Sequence, residues 1–373
     1  MNPDGLVTSE TFHWAENFPL RSGDALSGFE LVYETYGVLN STKSNAILIC
    51  HALSGNHHAA GRYAESDNKP GWWDAAIGPG KPIDTNQFFV VSLNNLGGCH
   101  GSTGPLTIDP ATNKAYGPDF PTVTVSDWVR SQALLADHLG INCFAAIIGG
   151  SLGGMQALQW SIDFPARVQH AVLIAAAPKL SAQNIAFNEI ARHAITSDPG
   201  YVEGRYVEKD SNPDKGLGIA RMIGHVTYLS AGGMGSKFGR EVKSGDIGVG
   251  KDVQFQVESY LQYQGQNFAK SFDANTYIRM THALDYFDPA QEHQGNLTKA
   301  LEKASAKFLV ISFSSDWRFS PQRSQEIVDA LVEGKHDVVS TCIESEHGHD
   351  SFLMPLPRYF EVLGGYLNRV ANS

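Results

Sequence analysis

The stretch from residue 147 to 160, IIGGSLGGMQALQW, constrains the fold more than any other part of this 373-residue chain. An apolar run ends just before Gly149, and Ser151 lies at the centre of the pattern G-x-S-x-G, directly before a run with helical spacing. Small residues around a serine allow a sharp turn between a strand and a helix, which leaves the hydroxyl exposed above a sheet. The pattern therefore predicts that Ser151 is a nucleophile. The alternative is an ordinary serine in a glycine-rich turn.

Short apolar runs recur along the chain and predict the strands of one buried sheet. The runs are continuous rather than alternating, which is typical of parallel strands covered on both faces. They occupy residues 46–50, 88–93, 144–148, 171–175, 308–313 and 338–343. Helical spacing between them predicts helices at 125–139, 154–164 and 320–331. This alternation predicts an α/β fold with a mostly parallel, doubly wound sheet.

The alternation is interrupted between residues 179 and 303. This segment has several helical patterns, few strand-like runs and a glycine-rich stretch at 230–252. Because strand–helix alternation resumes at residue 308, we expect a core of residues 1–178 and 304–373, with residues 179–303 inserted as a helical lid. Residues 6–37 are expected to add antiparallel strands at one edge of the sheet.

Composition and charge exclude several classes of function. The 28 Lys and Arg residues are outnumbered by 39 Asp and Glu residues, and a net charge of −11 argues against a nucleic-acid partner. The first residues do not have the pattern of a signal peptide, and no apolar run approaches the roughly 20 residues needed to span a bilayer. We therefore expect a cytoplasmic protein with no membrane partner.

The four cysteines argue against a zinc ribbon and against a disulfide framework. They are widely spaced and include no C-x-x-C pair. Cys50 and Cys342 lie within apolar runs, so we expect both to be buried thiols.

A serine hydroxyl becomes a good nucleophile only when a base removes its proton, so an acid and a histidine are expected later in the chain. Asp316 follows the apolar run 308–313 and fits the acid, although it could instead be an acid at a helix N-terminus. The segment EHGHDSF offers His347 and His349 as the base. We select His349, partly on the family resemblance described below, with Asp316 holding its tautomer and stabilising the imidazolium.

The loop HALSGNHHAAG at residues 51–61 follows the first apolar run of the core. On a fold with this kind of serine turn, one oxyanion N–H comes from the residue after the nucleophile and another from the loop after an early strand. We therefore expect the N–H groups of Leu152 and Leu53 to form the oxyanion hole. A metal site at His51, His57 and His58 is the alternative, but their spacing differs from H-E-x-x-H and no acid lies beside them in the sequence.

Five segments resemble the homoserine O-acyltransferases of the α/β-hydrolase fold. They are HALSGN, NNLGGCHGSTGP, GGSLGGMQALQW, ARMIGHVTYLS and EHGHDSFL, spread over nearly the whole chain. The resemblance implies a catalytic triad of Ser151, Asp316 and His349 and a helical lid through which members commonly form a homodimer. It also implies transfer of an acyl group from acyl-CoA to the hydroxyl of homoserine in methionine synthesis, with acyl-CoA as co-substrate and without a metal or a bound cofactor.

The resemblance also implies residues that bind homoserine. Arg221 matches an arginine that binds its carboxylate, Asp350 an acid that holds its amino group, and Tyr228 a tyrosine that lines the pocket. An arginine suits a carboxylate because its planar fork can donate two parallel hydrogen bonds. From the residue pattern alone, Arg221 would be an exposed helix charge and Asp350 an ordinary loop acid.

The residues after the catalytic acid indicate the acyl donor. Acetyl-transferring members of the family tend to have D-x-L-F-P there, whereas this chain has DWRFS with Arg318 in place of the leucine, as succinyl-transferring members do. An arginine can pair with the free carboxylate of a succinyl group. The alternative is a solvent-facing or salt-bridged charge.

We therefore expect transfer of succinyl from succinyl-CoA to L-homoserine by a ping-pong reaction through an acyl-serine. Acetyl-CoA as donor, serine as acceptor, and a plain esterase or thioesterase are the alternatives.

Overall fold

An eight-stranded sheet forms the centre of the computed structural model, which describes residues 5–243 and 255–372. Its strands are β1 Glu10–Trp14, β2 Phe29–Tyr36, β3 Ala46–Cys50, β4 Phe89–Leu93, β5 Ala146–Gly150, β6 His170–Ile174, β7 Lys307–Phe313 and β8 Val338–Ile343. Their order across the sheet is β1-β2-β4-β3-β5-β6-β7-β8. β2 pairs antiparallel with both β1 and β4, and the six strands β3 to β8 all pair parallel with one another along the rest of the sheet. The predicted mostly parallel sheet with an antiparallel edge is confirmed.

Both faces of the sheet are covered, which explains the continuous apolar runs. Alternate strand residues point to opposite sides: Leu48 and Cys50 pack in one hydrophobic core, while Ile47 and Ile49 pack in the other. The helices α1 Val125–His138, α2 Leu152–Asp163, α9 Pro321–Glu333 and α10 Pro357–Ala371 belong to these layers. The sheet is therefore doubly wound, as predicted.

The segment between β6 and β7 is helical and contributes no strand to the main sheet within its described residues. We call it the helical insertion. It contains α3 Ala182–Thr196, α4 Asp214–Tyr228, α5 Ala231–Phe238, α6 Gln256–Ala269, α7 Ala274–Asp285 and α8 Leu297–Ala300. These helices all fall within residues 179–303. The latter part of the glycine-rich stretch 230–252, from residue 244 on, lies outside the described residues.

Shorter elements complete the fold. Two-residue strands pair as Phe18–Pro19 with Ala25–Leu26, Ile77–Gly78 with Ile83–Asp84, and Ile108–Asp109 with Lys114–Ala115. Short 3-10 segments span Gly117–Asp119, Pro165–Arg167, Pro199–Gly204, Tyr206–Lys209, Gln291–His293 and Gly348–Leu353, and the third of these is kinked at Val202 and Glu203. None of the helices formed by described residues is both long and apolar enough to cross a bilayer.

Two sequence predictions are corrected by the sheet. The strand predicted at 144–148 runs from Ala146 to Gly150, because its last two residues are glycines that hydrophobicity does not mark as strand but that pair with both neighbouring strands. Cys342 is exposed rather than buried, because β8 is the outer strand of the sheet and most of its residues are only partly covered. Cys50, on the central strand β3, is buried as expected.

Candidate active site

Ser151 lies on a strained turn between β5 and α2. Its backbone has φ 57° and ψ −122°, a conformation that costs a non-glycine residue about 1–3 kcal/mol, and its N–H donates to the Ile174 carbonyl at 2.9 Å. The flanking glycines make this turn possible. A Cβ added at Gly153 would lie 2.0 Å from the Cys50 carbonyl oxygen, and one at Gly149 would lie 2.1 Å from the backbone of Gly153. The turn predicted from G-x-S-x-G is therefore present, with the serine at its apex.

Ser151, His349 and Asp316 form one hydrogen-bonded chain. The Nε2 atom of His349 lies 2.8 Å from Ser151 Oγ, and its Nδ1 atom lies 2.7 Å from Asp316 Oδ2. All three residues are at least nine-tenths buried. An imidazole that donates through Nδ1 to a carboxylate presents a lone pair at Nε2, which is the tautomer needed to accept a serine proton. His347, the alternative base, is exposed and makes no such contact.

The acid and the base are each fixed by their surroundings. The second carboxylate oxygen of Asp316 accepts the backbone N–H groups of Arg318 at 3.0 Å and Phe319 at 2.8 Å, so the carboxylate cannot rotate freely. The Phe319 ring stacks on His349 with centroids 4.8 Å apart, and the Phe352 ring meets it edge-on at 5.7 Å. The turn after β7 therefore positions the acid and also covers the face of the base.

A cavity of about 110 Å³ opens above the Ser151 hydroxyl. It brings together most of the residues that the sequence singled out, and Asp316 and Leu152 lie behind its wall. The cavity is lined by Ala52, Leu53, Ser54, Ser151, Leu180, Arg221, Tyr228, Leu284, Arg318, Phe319, His349, Asp350, Phe352 and Leu353. The core contributes the reacting groups, and the helical insertion contributes Leu180, Arg221, Tyr228 and Leu284.

The two expected oxyanion donors lie on either side of the serine. Leu152 is the first residue of α2, where a backbone N–H has no partner within the helix and the helix dipole favours negative charge. Leu53 lies on the loop after β3 and lines the cavity. Gln156 connects α2 with the loop that carries Leu53. It lies one turn into α2 and donates from Nε2 to the His51 carbonyl at 3.0 Å.

The loop that carries Leu53 is held by a buried polar network. His51 Nδ1 lies 2.7 Å from the Ala52 carbonyl and its Nε2 accepts the Asn95 N–H at 3.1 Å, so the ring is a neutral imidazole with both nitrogens used. Burial lowers the pKa of His51 to about 4. Gln132 donates to Gln156 Oε1 at 2.7 Å and to Asn95 Oδ1 at 2.9 Å. The loop is therefore locked to α1 and α2.

Arg221 and Asp350 face the cavity from opposite structural units. Arg221, on α4, donates from Nη1 to Ser54 Oγ at 3.2 Å and covers the Phe268 ring at 4.7 Å, while its buried Nε has no partner within the described structure. Burial raises the pKa of the Asp350 carboxyl, and the nearby charge of Arg221 acts in the opposite direction. A zwitterionic ligand between them would offer a carboxylate to the arginine and an ammonium to the acid.

Arg318 lines the same cavity and is 8% exposed. Its guanidinium lies over the Tyr228 ring at 5.3 Å, and Tyr228 in turn lies 5.9 Å from the His349 ring. Among the described residues no carboxylate oxygen lies within 4.0 Å of this guanidinium. The solvent-facing and salt-bridged interpretations of Arg318 are therefore wrong, and its charge is open to a ligand.

The insertion is fastened to the loops that carry the acid and the base. Gly348 has φ 64°, and a Cβ there would lie 2.4 Å from the Tyr228 carbonyl oxygen, so only glycine allows this approach. Ser230 Oγ donates to the Glu346 carbonyl, and Trp317 Nε1 donates to the Leu229 carbonyl at 3.0 Å. The end of α4 therefore contacts both catalytic loops directly.

Comparison with known proteins identifies the family. A model of the α/β hydrolase fold matches residues 45–354. A homoserine O-succinyltransferase of Hahella chejuensis is 63% identical over 99% of this chain and 96% of the relative, and one of Pseudomonas aeruginosa is 60% identical over 98% and 97%. The chain belongs to the homoserine O-acyltransferase family. Its sheet order, serine turn and inserted helices are those of an α/β hydrolase.

Solved structures agree with this family assignment and also show its breadth. A homoserine O-acetyltransferase from Bacillus anthracis is 30% identical with a TM-score of 0.90, covering 97% of this chain and 98% of that one. Esterase E22 is 32% identical with a TM-score of 0.89, covering 97% and 100%. The same fold thus carries acyl transfer and ester hydrolysis, so the side chains around the triad must distinguish members of the homoserine O-acyltransferase family from their hydrolase neighbours.

The histidines of the 51–61 loop have protein partners in this acyltransferase. His58 Nδ1 lies 3.2 Å from the buried Glu34 carboxylate and His57 Nε2 lies 3.8 Å from it, while His51 bonds to the backbone. Burial lowers the pKa of His57 to about 4. No cluster of three or more His, Cys, Asp or Glu residues suited to a metal ion occurs in residues 5–243 and 255–372. His57 and His58 approach the carboxylate of Glu34, whereas His51 bonds to the backbone, so the three rings do not share one centre.

Sequence reasoning missed several residues that shape the acyltransferase site. Gln156 was detectable, because it is a polar residue in the otherwise apolar start of a buried helix. Ser54, which contacts Arg221, and Phe319, which covers His349, adjoin residues that were singled out. Asn188 and Thr227, which contact Arg318, carry no comparable signal, because they lie 130 and 91 residues away from it in the chain.

Proposed function

We propose that this chain is a homoserine O-succinyltransferase that moves a succinyl group from succinyl-CoA to the hydroxyl of L-homoserine in methionine synthesis. Full-length relatives of that name support the reaction. The structural observation that carries the proposal is the placement of Arg318. Its buried guanidinium, without a carboxylate partner among the described residues, lines the same cavity as the Ser151 hydroxyl.

The first half of the reaction acylates the serine. His349 accepts the Ser151 proton as Oγ attacks the thioester carbonyl, and Asp316 stabilises the imidazolium that forms. The N–H groups of Leu53 and Leu152 bind the oxyanion, and each such donor is worth about 3 kcal/mol of barrier. The thiolate of CoA leaves with a proton from His349, and a succinyl ester of Ser151 remains.

The second half of the reaction transfers the acyl group to homoserine. Arg221 binds the carboxylate of the amino acid, Asp350 binds its ammonium group, and Tyr228 closes the wall of the pocket. His349 then removes the proton from the homoserine hydroxyl, which attacks the ester carbonyl. The bond from the acyl carbon to Ser151 Oγ breaks, and His349 returns the proton to the serine oxygen. Holding the hydroxyl at the reacting carbon raises its effective concentration over that of water, which is the competing nucleophile.

Arg318 selects the donor in this proposal. A succinyl group on Ser151 ends in a carboxylate, and a buried arginine can bind it with charge-assisted hydrogen bonds. An acetyl group ends in a methyl, which has neither a charge nor a hydrogen-bond acceptor for the guanidinium. Because the charge of Arg318 is already desolvated, binding a carboxylate recovers interactions that the empty site lacks.

The helical insertion acts as the lid, and residues 179–303 form it while residues 1–178 and 304–373 form the core. It narrows the cavity and limits water near the acyl-serine. We further propose a cytoplasmic homodimer that pairs through this lid. In the proposed mechanism every proton and charge is handled by a side chain or backbone amide, with acyl-CoA as co-substrate and without a metal or bound cofactor.

Hydrolysis is the second candidate, and the fold shared with esterase E22 favours it. An esterase or thioesterase would release succinate from succinyl-CoA at the same rate with and without homoserine. The acyltransferase would accelerate in homoserine and form O-succinylhomoserine. Replacing succinyl-CoA with acetyl-CoA, and homoserine with serine, tests the remaining alternatives in the same assay.

Mass spectrometry of intact protein incubated with succinyl-CoA alone tests the ping-pong order. We expect a succinyl adduct that maps to Ser151 and disappears on addition of homoserine. A protein that forms product but never the adduct would overturn the acyl-serine intermediate. An adduct formed with acetyl-CoA but not with succinyl-CoA would overturn the donor.

A further inference from the structure

The guanidinium of Arg318 is held by neutral groups of the helical insertion. Its Nη1 donates to Thr227 Oγ1 at 2.5 Å, and its Nη2 donates to Asn188 Oδ1 at 3.3 Å. The Thr227 hydroxyl donates its proton to the Gly224 carbonyl at 2.9 Å, so its oxygen accepts the hydrogen bond from Arg318. Both contacts orient the guanidinium, and neither neutralises it.

The orientation of the Asn188 amide is fixed from behind. Its Nδ2 donates to Asp285 Oδ1 at 2.7 Å, which turns Oδ1 toward Arg318. The reverse orientation would place the amide NH₂ against the guanidinium and the amide oxygen against the carboxylate, two repulsive contacts. Asn188 is 2% exposed, so water does not relieve either contact.

The charge of Asp285 is already matched by another arginine. Its Oδ2 accepts Arg192 Nη1 at 2.7 Å, and both side chains are only about one-tenth exposed. Asn188 therefore separates two charged systems. On one side Arg192 pairs with the buried Asp285 and also with the exposed Glu189, and on the other lies Arg318, which has no ion-pair partner among the described residues.

We infer that Asn188 is a positioning residue for the choice of acyl donor, acting through Arg318, and that its neutrality is essential. It aims the guanidinium into the cavity and leaves the positive charge for the carboxylate of the acyl group. This inference rests on the proposed function and extends it. Specificity for a succinyl donor then depends on the arrangement Asp285–Asn188–Arg318 rather than on the arginine alone.

An aspartate at position 188 would reverse this arrangement with almost no change in shape. One carboxylate oxygen would lie where Asn188 Oδ1 lies, 3.3 Å from Arg318 Nη2, and would form an internal ion pair. The other would replace Nδ2 beside Asp285 Oδ1, and the repulsion between these two oxygens would turn the new carboxylate further toward Arg318. A succinyl carboxylate would then compete for the Arg318 guanidinium with the carboxylate introduced at position 188, which is always present. A neutral acetyl group would not meet this competition, because it makes no use of the charge.

The test compares Asn188→Asp with wild type on both donors, in kcat/KM and in affinity. Affinity is measured by calorimetry on Ser151→Ala protein, which binds acyl-CoA without turnover. Gln183→Glu is the matched control, because it adds the same charge to an exposed position of the same helix, α3. Arg318→Leu shows how much donor preference changes when the arginine itself is removed, and the effect of Asn188→Asp is compared with that change.

We expect Asn188→Asp to lower the ratio of kcat/KM for succinyl-CoA to that for acetyl-CoA by about tenfold or more, as for other close charge pairs at binding sites. The Kd of succinyl-CoA should rise with it, while Gln183→Glu leaves the ratio unchanged. Equal losses on both donors would mean a structural role only and would overturn the inference. The inference would also be overturned if Asn188→Asp left the ratio of the two kcat/KM values unchanged while Arg318→Leu altered it. The proposed function would stand in that case. A wild-type preference for acetyl-CoA would overturn both.

Discussion

The two sides of the cavity are built in different ways. On the core side, Ser151, Asp316 and His349 lie on turns at the ends of strands, and backbone groups fix the serine and the acid. On the insertion side, Arg221 lies on α4 and is held by a side-chain contact with Ser54. Backbone contacts hold the groups that react, whereas side-chain contacts hold the groups that choose the ligand. We therefore expect reaction rate and ligand choice to be separable by mutation.

The largest expected effect is on the core side. Ser151→Ala should lower kcat by at least about 10⁴-fold, since removal of a triad nucleophile leaves only binding and the oxyanion donors. Stopped-flow measurement of CoA release should show no burst. Ser54→Ala is the control, because Ser54 lines the same cavity but contacts Arg221. It should keep the burst, and a normal burst in Ser151→Ala would refute the nucleophile.

Asp316→Asn should lower kcat by about 10³–10⁴-fold, as the loss of the acid favours the wrong tautomer of the base. Asp350→Asn provides the contrast, because this acid faces the cavity from the next residue after the base. It should raise the KM for homoserine and leave the rate of serine acylation within a small factor. Single-turnover acylation and steady-state KM measure the two effects separately. Equal effects of both variants on acylation would contradict the separation of reaction rate from ligand binding.

Gln156→Leu should lower kcat by about 10–100-fold with little change in KM, because it loosens one oxyanion donor rather than deleting it. Gln159→Leu, three residues further along the same helix, removes a hydrogen bond to Asp163 instead. It should leave kcat within about threefold, as expected of a side chain that touches no reacting group. A smaller effect for Gln156→Leu than for Gln159→Leu would show that the network does not position the Leu53 loop.

Arg318→Leu should shift donor preference toward acetyl-CoA by about tenfold to a hundredfold, the usual range for loss of a buried charge-assisted contact. The shift should appear as a change in the ratio of kcat/KM between the donors. The rate of acylation by acetyl-CoA should remain measurable, since the triad is untouched. An unchanged ratio would show that Arg318 does not select the donor.

The smallest expected effect concerns stability at low pH, and it tests whether the two regions unfold together. Burial lowers the pKa of His51 in the core and of His225 in the insertion from 6.5 to about 4. The unfolded chain therefore binds more protons between these values, so stability is complete above pH 6.5 and is lost as the pH falls toward 4. Each histidine should contribute a slope of about 1.4 kcal/mol per pH unit.

Urea unfolding at a series of pH values measures this slope. Replacing His225 with glutamine should reduce it, whereas replacing the exposed His347 should not. If the insertion unfolds with the core, one transition should shift as a whole. A separate early transition that responds only to the His225 variant would show that the insertion is an independent unit.

The core side could be predicted from sequence because each part of it has a local signature. Ser151 sits in a fixed pattern between a strand and a helix, and Asp316 and His349 each follow a strand in the order that the fold requires. The resemblance to a known family selected His349 over His347. The hydrophobic runs placed the strands within about two residues. They missed the end of β5, because two glycines complete that buried strand. They also predicted that Cys342 is buried, although its apolar run forms the exposed outer strand of the sheet.

The residues of the cavity that choose the ligand could be predicted only in part. Arg221, Tyr228 and Arg318 were named from the family pattern, but nothing in the sequence shows what holds them. The contacts of Arg318 with Thr227 and Asn188 arise when helices far apart in the chain pack together, so no local spacing encodes them. Selectivity depends on this tertiary packing, which is why the identity of the acyl donor is harder to read from sequence than the nucleophile.

The glycine at position 348 has a consequence for how substrates enter. A side chain at position 348 would collide with the backbone of residue 228, so the segment bearing the imidazole and the last turn of α4 pack directly against each other. An outward movement of the end of α4 together with this segment would separate His349 from Ser151. We therefore expect acyl-CoA to enter and leave at another part of the cavity rim, with this contact closed.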